Sequence, residues 1–280
     1  MVRLKEKWQS LLYHSLILVL GFMMLYPILW IIASSFKMHS EIFQNVSSLI
    51  PNQFNFDNYI QGWEGFSNVS FDTFFINSFI ITITATLGQV ATASIVAYGF
   101  ARVKFIGKKF WFMLMLATML LPREVLMIPQ YIIISTIGWI DTFKPLIIPR
   151  FLPMPFFVFL IYQFIQGIPK ELDEAATIDG CGHYSIFFRI ILPNIKPALI
   201  TTFVFQFCWT WQDFLSPLLY IQSNNLYPVS LALKLFSDPS TVTNWGALFA
   251  MSVLSLIPPF ILFIIFQRYL VKGISTTGLK

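Results

Sequence analysis

The chain has 280 residues, of which 56% are hydrophobic and 11% are charged, and its mean hydropathy is +0.71. Soluble domains carry about 25% charged residues, so this composition excludes an ordinary soluble protein and predicts an integral membrane protein. The formal net charge of +5 does not indicate nucleic-acid binding, because most basic residues lie in the segments between apolar runs.

Six apolar runs are long enough, or nearly so, to cross a bilayer as a helix of about 20 residues. They lie near residues 11–33, 74–100, 110–134, 145–167, 195–221 and 246–270. Prolines interrupt the third and fourth runs, and prolines kink membrane helices and free backbone carbonyls. The sequence therefore predicts an all-α integral membrane protein with six transmembrane helices, forming one domain over residues 1–280.

Most of the 18 Lys and Arg residues occur in alternate connections, which indicates that these connections face the cytoplasm. The basic connections are the two terminal tails, the segment near residues 102–109 and the segment near residues 170–196. Both termini of this multi-pass protein are therefore predicted to be cytoplasmic. The first connection, about residues 34–73, is polar and acidic. We expect it to face outside and to offer a surface to an external partner.

The fourth connection, about residues 168–193, begins with the acidic stretch ELDEAATIDG at residues 171–180. Pro169 suits a first helical turn, and the early acids favour the positive end of the helix dipole. Gly180 can adopt the left-handed conformation that ends a helix. The pattern predicts a short cytoplasmic helix of about ten residues.

On this predicted helix, Leu172, Ala175, Ala176 and Asp179 share one face that is almost free of bulk. A second short stretch follows, in which Ile186, Phe187, Ile190 and Ile191 recur at helical spacing. The two halves predict an elbow that is anchored by apolar residues and presents small and acidic ones. The pattern fits two interpretations equally well. The elbow is either a surface for a partner or a solvated helix whose acids keep it soluble.

The order EAATIDGCGHYSIFFRIILPNIKP resembles the EAA signature of ATP-binding-cassette importer permeases. The positions that match the signature, and that the resemblance assigns to coupling with an ATPase, are Glu174, Ala175, Ala176, Asp179, Gly180, Phe187, Ile190 and Pro193. Further stretches, such as WTWQDFLSPLLYI and FQRYLVKGISTTGLK, are similar to carbohydrate-importer permeases of the maltose permease type. Within that group the chain resembles the shorter, six-span partner, with the type I importer permease fold.

The resemblance implies a subunit in the plasma (inner) membrane of a prokaryote that works with a second permease subunit as a heterodimer. It also implies two cytoplasmic ATPase subunits, which carry ATP and magnesium, and an external sugar-binding protein. The imported solute would be a di- or oligosaccharide, moved by alternating access. Residues of the C-terminal tail are expected to contact the ATPase, namely Gly273, Gly278 and Lys280.

Ionisable or aromatic polar residues inside apolar runs are the candidates for a translocation path. Those selected are Asn77, Arg123, Glu124, Trp209, Trp211, Gln212 and Asp213, and Arg150 is a further ionisable residue of the fourth run. The tryptophan cluster combines aromatic platforms with hydrogen-bonding groups, as a sugar requires. It also fits an interfacial aromatic belt, and Asn77 also fits helix packing.

The sequence offers no phosphate-binding loop, because Arg102 stands where such a loop before Gly107 and Lys108 needs its first glycine. It has no catalytic constellation and no metal-binding spacing either, so the chain is predicted to be a transport subunit without a cofactor of its own. Two alternatives stay open. One is the same machinery acting on a polyol or a glycerol phosphate, and the other is an ion-coupled secondary transporter or channel.

Overall fold

The computed structural model describes residues 2–236 and 244–275. Within these ranges every regular element is helical, apart from one β-bridge between Phe66 and Val69. In chain order the helices are α1 (Val2–Ser34), α2 (His39–Gln44), α3 (Asp57–Glu64), α4 (Phe71–Arg102), α5 (Lys108–Ala117), α6 (Arg123–Thr136), α7 (Lys144–Ile147), α8 (Pro155–Gln166), α9 (Glu171–Ile178), α10 (His183–Ile186), α11 (Leu192–Asn194), α12 (Lys196–Trp211), α13 (Leu215–Tyr220), α14 (Val229–Phe236) and α15 (Trp245–Ser275). A π-helical turn over Phe187–Ile191 joins α10 to α11.

Four of the described helical stretches are long and apolar enough to cross a bilayer. They cover residues 10–34, 71–102, 144–166 and 245–270. Their bounds agree with the predicted first, second, fourth and sixth runs to within three residues. The all-α membrane fold is therefore confirmed.

The third and fifth predicted spans are bent rather than straight. The third breaks between α5 and α6, where Leu121 and Pro122 are extended because a proline disfavours the helical conformation of the residue before it. The prediction of one span over residues 195–221 was wrong, since α12 ends at Trp211 and α13 is a separate helix. A 76° bend also separates residues 183–194 from α12. The described chain thus has four candidate spans, or six if each bent pair is one span.

The chain divides into two compact units. Unit 1 comprises Met1–Phe71 and Leu233–Ile257, and unit 2 comprises Asp72–Ala232 and Pro258–Lys280. In unit 1 the segment after α1 is tied together by Lys37, whose side chain is fully buried. Its Nζ donates to the carbonyls of Asn45 at 3.1 Å and Ser48 at 2.6 Å. The predicted outside loop is therefore a folded segment that contains α2 and α3.

Close backbone approaches also hold unit 1 together. Asn58 on α3 donates to the carbonyls of Ser35 at 2.8 Å and Lys37 at 2.9 Å. A Cβ atom at Gly246 would lie 2.3 Å from the Asn58 Oδ1, and one at Gly62 would lie 2.8 Å from Met251. These two glycines therefore let α3 pack directly against α15.

Unit 2 is built around α4, which is about 48 Å long at 1.5 Å per residue. Its main apolar core combines alanines of α4 with Phe157 and Ile161 of α8 and with Ile186 and Ile191 of the segment before α12. Further along α4, a Cβ atom at Gly88 would lie 2.6 Å from the ring of Phe151. The glycine lets that ring pack on the helix.

Candidate functional site

The candidate coupling site is the segment from Glu171 to Asn194, called the elbow below. Its first half is α9, which has Glu171, Asp173 and Glu174 in its first turn, as predicted. The helix is eight residues long and begins at Glu171, so Pro169 lies before it rather than in its first turn. Acids at this end are favourable because unpaired N–H groups and the helix dipole make it positive.

Gly180 ends α9 as the sequence predicts, with a φ of +81°. The amide of Gly180 donates to the carbonyl of Thr177 at 3.0 Å, and the amide of Cys181 donates to that of Ala176 at 2.9 Å. This pair of bonds is the Schellman arrangement, which satisfies the last helical carbonyls. The chain direction after α9 is thus fixed by the backbone itself.

The predicted small-residue face of α9 is only partly available to a partner. Ala176 is buried in the apolar core of unit 2, whereas Ala175 and Asp179 are exposed and the Leu172 side chain is 47% exposed. The interpretation of both alanines as one contact surface was therefore wrong, because the chain uses Ala176 to pack α9 on its own core. Glu174 is exposed beside Ala175.

The second half of the elbow is anchored as its apolar spacing predicts. Ile186, Phe187 and Ile191 are buried in the same core, and Ile190 is partly buried. Pro193 is exposed within α11, and α12 begins three residues later at Lys196. The elbow therefore has a buried apolar half and a half that exposes acids and glycine.

Two side chains at the end of α4 attach the elbow, and the sequence analysis missed both. Arg102 Nε lies 2.6 Å from Asp173 Oδ2, and Arg102 Nη2 donates to the carbonyl of Ile168 at 2.6 Å. The Tyr98 hydroxyl donates to the carbonyl of His183 at 3.2 Å, and its ring lies 5.1 Å from that of Phe187. The sequence does contain a signal for this attachment, namely Arg102 at the end of an apolar run. It was interpreted only as a charge of the following loop.

The candidates for the translocation path are not gathered into one site. Asn77 is buried and donates to the carbonyls of Asn225 at 2.8 Å and Tyr227 at 3.1 Å. Glu124 is exposed at the start of α6, and the Arg123 side chain lies outside the described part of the structure. Asn77 thus holds the segment before α14 in place, which agrees with the packing interpretation.

The tryptophan cluster at the end of α12 is split in the same way. Trp211 is buried, with its ring 4.9 Å from Phe79 and 5.6 Å from Phe207. Trp209 is 40% exposed, and Gln212 is exposed. Trp211 is therefore a packing residue, while Trp209 and Gln212 stay accessible.

Asp213 is held by the arginine that the sequence analysis singled out in the fourth run. Arg150 Nη2 donates to Asp213 Oδ2 at 2.9 Å, and the Ser216 hydroxyl donates to the same oxygen at 2.6 Å. The Ser216 amide reaches Asp213 Oδ1 at 3.2 Å. In the amide orientation that satisfies both partners, Gln89 donates to the Arg150 carbonyl at 3.1 Å and accepts from the Met154 amide at 2.8 Å.

A cavity of about 750 Å³ opens beside this pair within unit 2. Most of its wall is apolar, and its hydrogen-bonding groups include Gln89, Gln130, Arg150 and Ser216. Its volume lies within the range of about 300 to 1,000 Å³ found for small-molecule sites. The cavity therefore offers room and a few polar groups for a solute.

Asp141 is a further aspartate that the sequence analysis overlooked. It adopts a left-handed conformation with φ of +59°, and its amide donates to the Tyr220 carbonyl at 2.7 Å. Its carboxylate accepts bonds from the Gln222 amide at 2.9 Å and from the Ser223 amide at 2.8 Å, together with the Ser223 hydroxyl. These hydrogen bonds, that from the Ser223 hydroxyl first, hold the pKa of Asp141 below its ordinary value.

The predicted tail contacts to the ATPase involve residues at the end of the chain. Gly278 and Lys280 lie outside the described residues, while Gly273 lies in the last turn of α15.

Comparison with known proteins shows a match to a protein family. Residues 89–276 match the family described as binding-protein-dependent transport system inner membrane component. The chain is 35% identical to the probable ABC transporter permease protein YurM of Bacillus subtilis, over 91% of this chain and 83% of that protein. It is 34% identical to the arabinooligosaccharides transport system permease protein AraQ of Halalkalibacterium halodurans, over 93% of each.

The fold also matches a solved structure. A chain from a bacterial ABC transporter involved in the import of the acidic polysaccharide alginate superposes with a TM-score of 0.84. The match covers 95% of this chain and 97% of that one at 20% sequence identity. At this identity the likeness shows a shared fold.

Proposed function

The chain belongs to the family of binding-protein-dependent transport system inner membrane components, and from this premise we propose that it imports a di- or oligosaccharide. It is a permease subunit of an ATP-binding-cassette importer and forms half of the translocation path. Hydrolysis of ATP then takes place on two separate cytoplasmic ATPase subunits, which bind ATP and magnesium. The observation that carries the proposal is the elbow, an exposed acidic helix seated by buried residues on the end of a membrane-spanning helix.

The elbow supports contact with an ATPase because it joins an exposed surface to a firm attachment. Glu174, Ala175, Asp179 and Gly180 are exposed, so a partner can reach them. Ile186, Phe187 and Ile191 are buried in the core that also contains α4 and α8. A push on the exposed half is therefore transmitted to the spans, as in a rigid-body or hinge movement. Glu174 would meet a basic residue of the ATPase.

The 750 Å³ cavity supports a neutral solute rather than a phosphate. Among the described residues that line it, the charged side chain is Arg150, and Asp213 offsets that charge at 2.9 Å. A phosphate is normally held by guanidinium groups or amides directed at it, and a paired arginine is a weaker attraction. The exposed Gln130 amide and the Ser216 hydroxyl suit sugar hydroxyls. The relative of Halalkalibacterium halodurans is named for transport of arabinooligosaccharides, which favours the same solute class.

The partners and the orientation of the chain follow from the proposed importer. A second permease subunit completes the path as a heterodimer, and an external binding protein delivers the sugar to the folded segment over residues 34–73. Both termini and the elbow face the cytoplasm of a prokaryote, because Lys and Arg are concentrated in these connections. Gly273, Gly278 and Lys280 would add tail contacts to the ATPase.

Uptake by the complete complex in proteoliposomes tests this function. With ATP in the lumen, which corresponds to the cytoplasm, oligosaccharide delivered by the binding protein should accumulate. This uptake should continue in the presence of a proton uncoupler and stop when ATP is depleted. Uptake driven by an ion gradient would instead identify a secondary transporter. Glycerol phosphate and a polyol, offered with their own binding proteins, serve as competing solutes, and transport of either in place of the oligosaccharide would overturn the sugar assignment.

The Glu174→Lys variant tests the coupling surface. Reversing this charge should lower uptake by about tenfold or more, since a like-charge contact costs at least about 1.4 kcal/mol at an interface. Glu171→Lys is the matched control, because Glu171 is an exposed acid in the same turn of α9 and lies outside the EAA positions. Normal uptake by an inserted Glu174→Lys protein would refute the assignment of Glu174.

A further inference from the structure

The end of α4 contacts both halves of the elbow through two side chains one helical turn apart. Arg102 pairs with Asp173 in α9 and donates to the carbonyl of Ile168, just before that helix. Tyr98 contacts the second half through the His183 carbonyl and the ring of Phe187. The elbow is thus attached to one membrane-spanning helix at three points of the chain, and α4 receives any movement of the elbow directly.

The ion pair is the principal attachment of α9. The core receives the side chain of Ala176 from this helix, which is a single methyl group, while the other residues of α9 are exposed or partly buried. The side chains of Arg102 and Asp173 are 5% and 16% exposed. A charge buried to this extent is costly unless its partner stays beside it, so each residue holds the other in place.

The pair is also incompletely hydrogen-bonded. Arg102 Nε lies close to Asp173 Oδ2 without forming a hydrogen bond, and Arg102 Nη1 and Asp173 Oδ1 have no hydrogen-bond partner among the described residues. A guanidinium and a carboxylate can form two parallel hydrogen bonds when their planes align. This contact therefore leaves room for α9 to tilt about Arg102 while the charges remain paired.

We propose that Arg102 is the positioning residue of the coupling elbow, and that its pair with Asp173 determines how much of the ATPase movement reaches α4. The inference rests on the proposed function, because Arg102 would position the surface that contacts the ATPase. Loss of the pair leaves α9 attached through the backbone and Ala176. The ATPase still binds and hydrolyses ATP, but the movement is taken up within the elbow.

The experiment compares uptake with ATP hydrolysis in the reconstituted complex, using oligosaccharide-loaded binding protein. For Asp173→Asn we expect assembly and ATP hydrolysis close to wild type and a fall of about fivefold in sugar transported per ATP, since an unpaired arginine no longer fixes α9. Arg102→Lys keeps the charge but lacks the guanidinium fork, and its ratio should fall by about twofold. Lys104→Gln, at an exposed charge two residues after Arg102 and outside the elbow, should leave the ratio unchanged.

A double variant, Arg102→Met with Asp173→Leu, separates positioning from stability. It removes both buried charges, so assembly should return even if Asp173→Asn assembles poorly. We expect its transport per ATP to stay as low as in Asp173→Asn. A ratio that returns to the wild-type value would overturn the inference, because it would show that the single variants merely left a charge unpaired.

The two proposals fail in distinguishable ways. A wild-type complex without ATP-dependent uptake would refute the proposed function. A wild-type complex that transports, together with an Asp173→Asn variant whose ratio is unchanged, would refute the role of Arg102 alone.

Discussion

Asp173 and Asp213 are both aspartates of unit 2 that pair with an arginine distant in sequence, but their surroundings differ. Asp213 accepts hydrogen bonds on both oxygens, from Arg150 and from the hydroxyl and amide of Ser216. Asp173 has Arg102 as its charged partner, and its Oδ1 accepts no hydrogen bond from the described residues. One pair is closed by local groups, and the other remains open.

The difference indicates two uses of the same chemistry. A saturated carboxylate fixes a geometry, because any displacement breaks several hydrogen bonds at once. Asp213 and Ser216 lie where α12 gives way to α13, and Arg150 lies in the turn before α8, so their contact holds two irregular segments together. An open pair permits small rotations at lower cost, which suits an elbow that has to move with a partner.

Breaking the closed pair between Arg150 and Asp213 should cost the most stability. Asp213→Ala removes the carboxylate that contacts Arg150, whose side chain is 23% exposed, and that accepts from the hydroxyl and the amide of Ser216. We expect a loss of about 2 to 4 kcal/mol in the free energy of unfolding, measured by denaturation of the purified protein in detergent. Asp179→Ala, at an exposed aspartate of the elbow, is the control and should change stability by about 0.5 kcal/mol or less. Equal losses in both variants would show that the contacts of Asp213 add no more stability than an exposed aspartate does.

A smaller effect is expected from the backbone stop of the elbow. Gly180 has a φ of +81°, and a Cβ atom there would meet nothing within 4 Å, so Gly180→Val is disfavoured by conformation and not by crowding. The left-handed conformation should cost about 1 to 2 kcal/mol and speed hydrogen exchange of the α9 amides about tenfold.

Gly180→Asn is the matched control, because asparagine tolerates the left-handed conformation. Its exchange rates should stay near those of the wild type. Fast exchange in both variants would mean that the glycine is required for a reason other than its φ.

Local features of this fold were predictable, because they depend on neighbours in sequence. The apolar runs gave the bounds of four spans, and the glycine after ELDEAATID predicted the end of α9. The spacing of Ile186, Phe187 and Ile191 predicted the buried half of the elbow. In each case the periodicity or the turn residue is itself the physical cause of the structure.

Long-range pairs were not predictable from these patterns. Arg102 and Asp173 belong to different helices, and Arg150 and Asp213 lie in irregular segments 63 residues apart. Nothing in the local sequence of any of these residues selects its partner. The same reason explains the error over Ala176, since the helical face of α9 was correct in its spacing but the choice between core and partner depends on tertiary packing. The predicted end of the fifth span was wrong because the sequence stays largely apolar past Trp211, although the helix stops there.

Asp141 is a third aspartate, and its carboxylate accepts hydrogen bonds from the neutral donors of Gln222 and Ser223. Substitution of this residue should change stability less than the variants above. Its lowered pKa means that the ionised form stabilises the fold above the ordinary pKa of about 4, and that this contribution is lost as pH falls through the lower folded value. Asp141→Asn keeps the left-handed backbone but loses the charge. We expect a loss of under about 1 kcal/mol at pH 7, because the site is near the surface.

The pH dependence of that loss identifies its origin. The gap in melting temperature between the wild type and Asp141→Asn should be largest at pH 6 to 7 and shrink below about pH 4, as the wild-type carboxylate becomes protonated. A gap that is independent of pH would show that the shape of the side chain, and not its charge, holds the Gln222 and Ser223 amides. In that case the hydrogen bonds to Asp141 would be sufficient to fix the turn without a charge. Arg150 would then be needed beside Asp213 for another purpose, namely to neutralise a carboxylate next to the cavity.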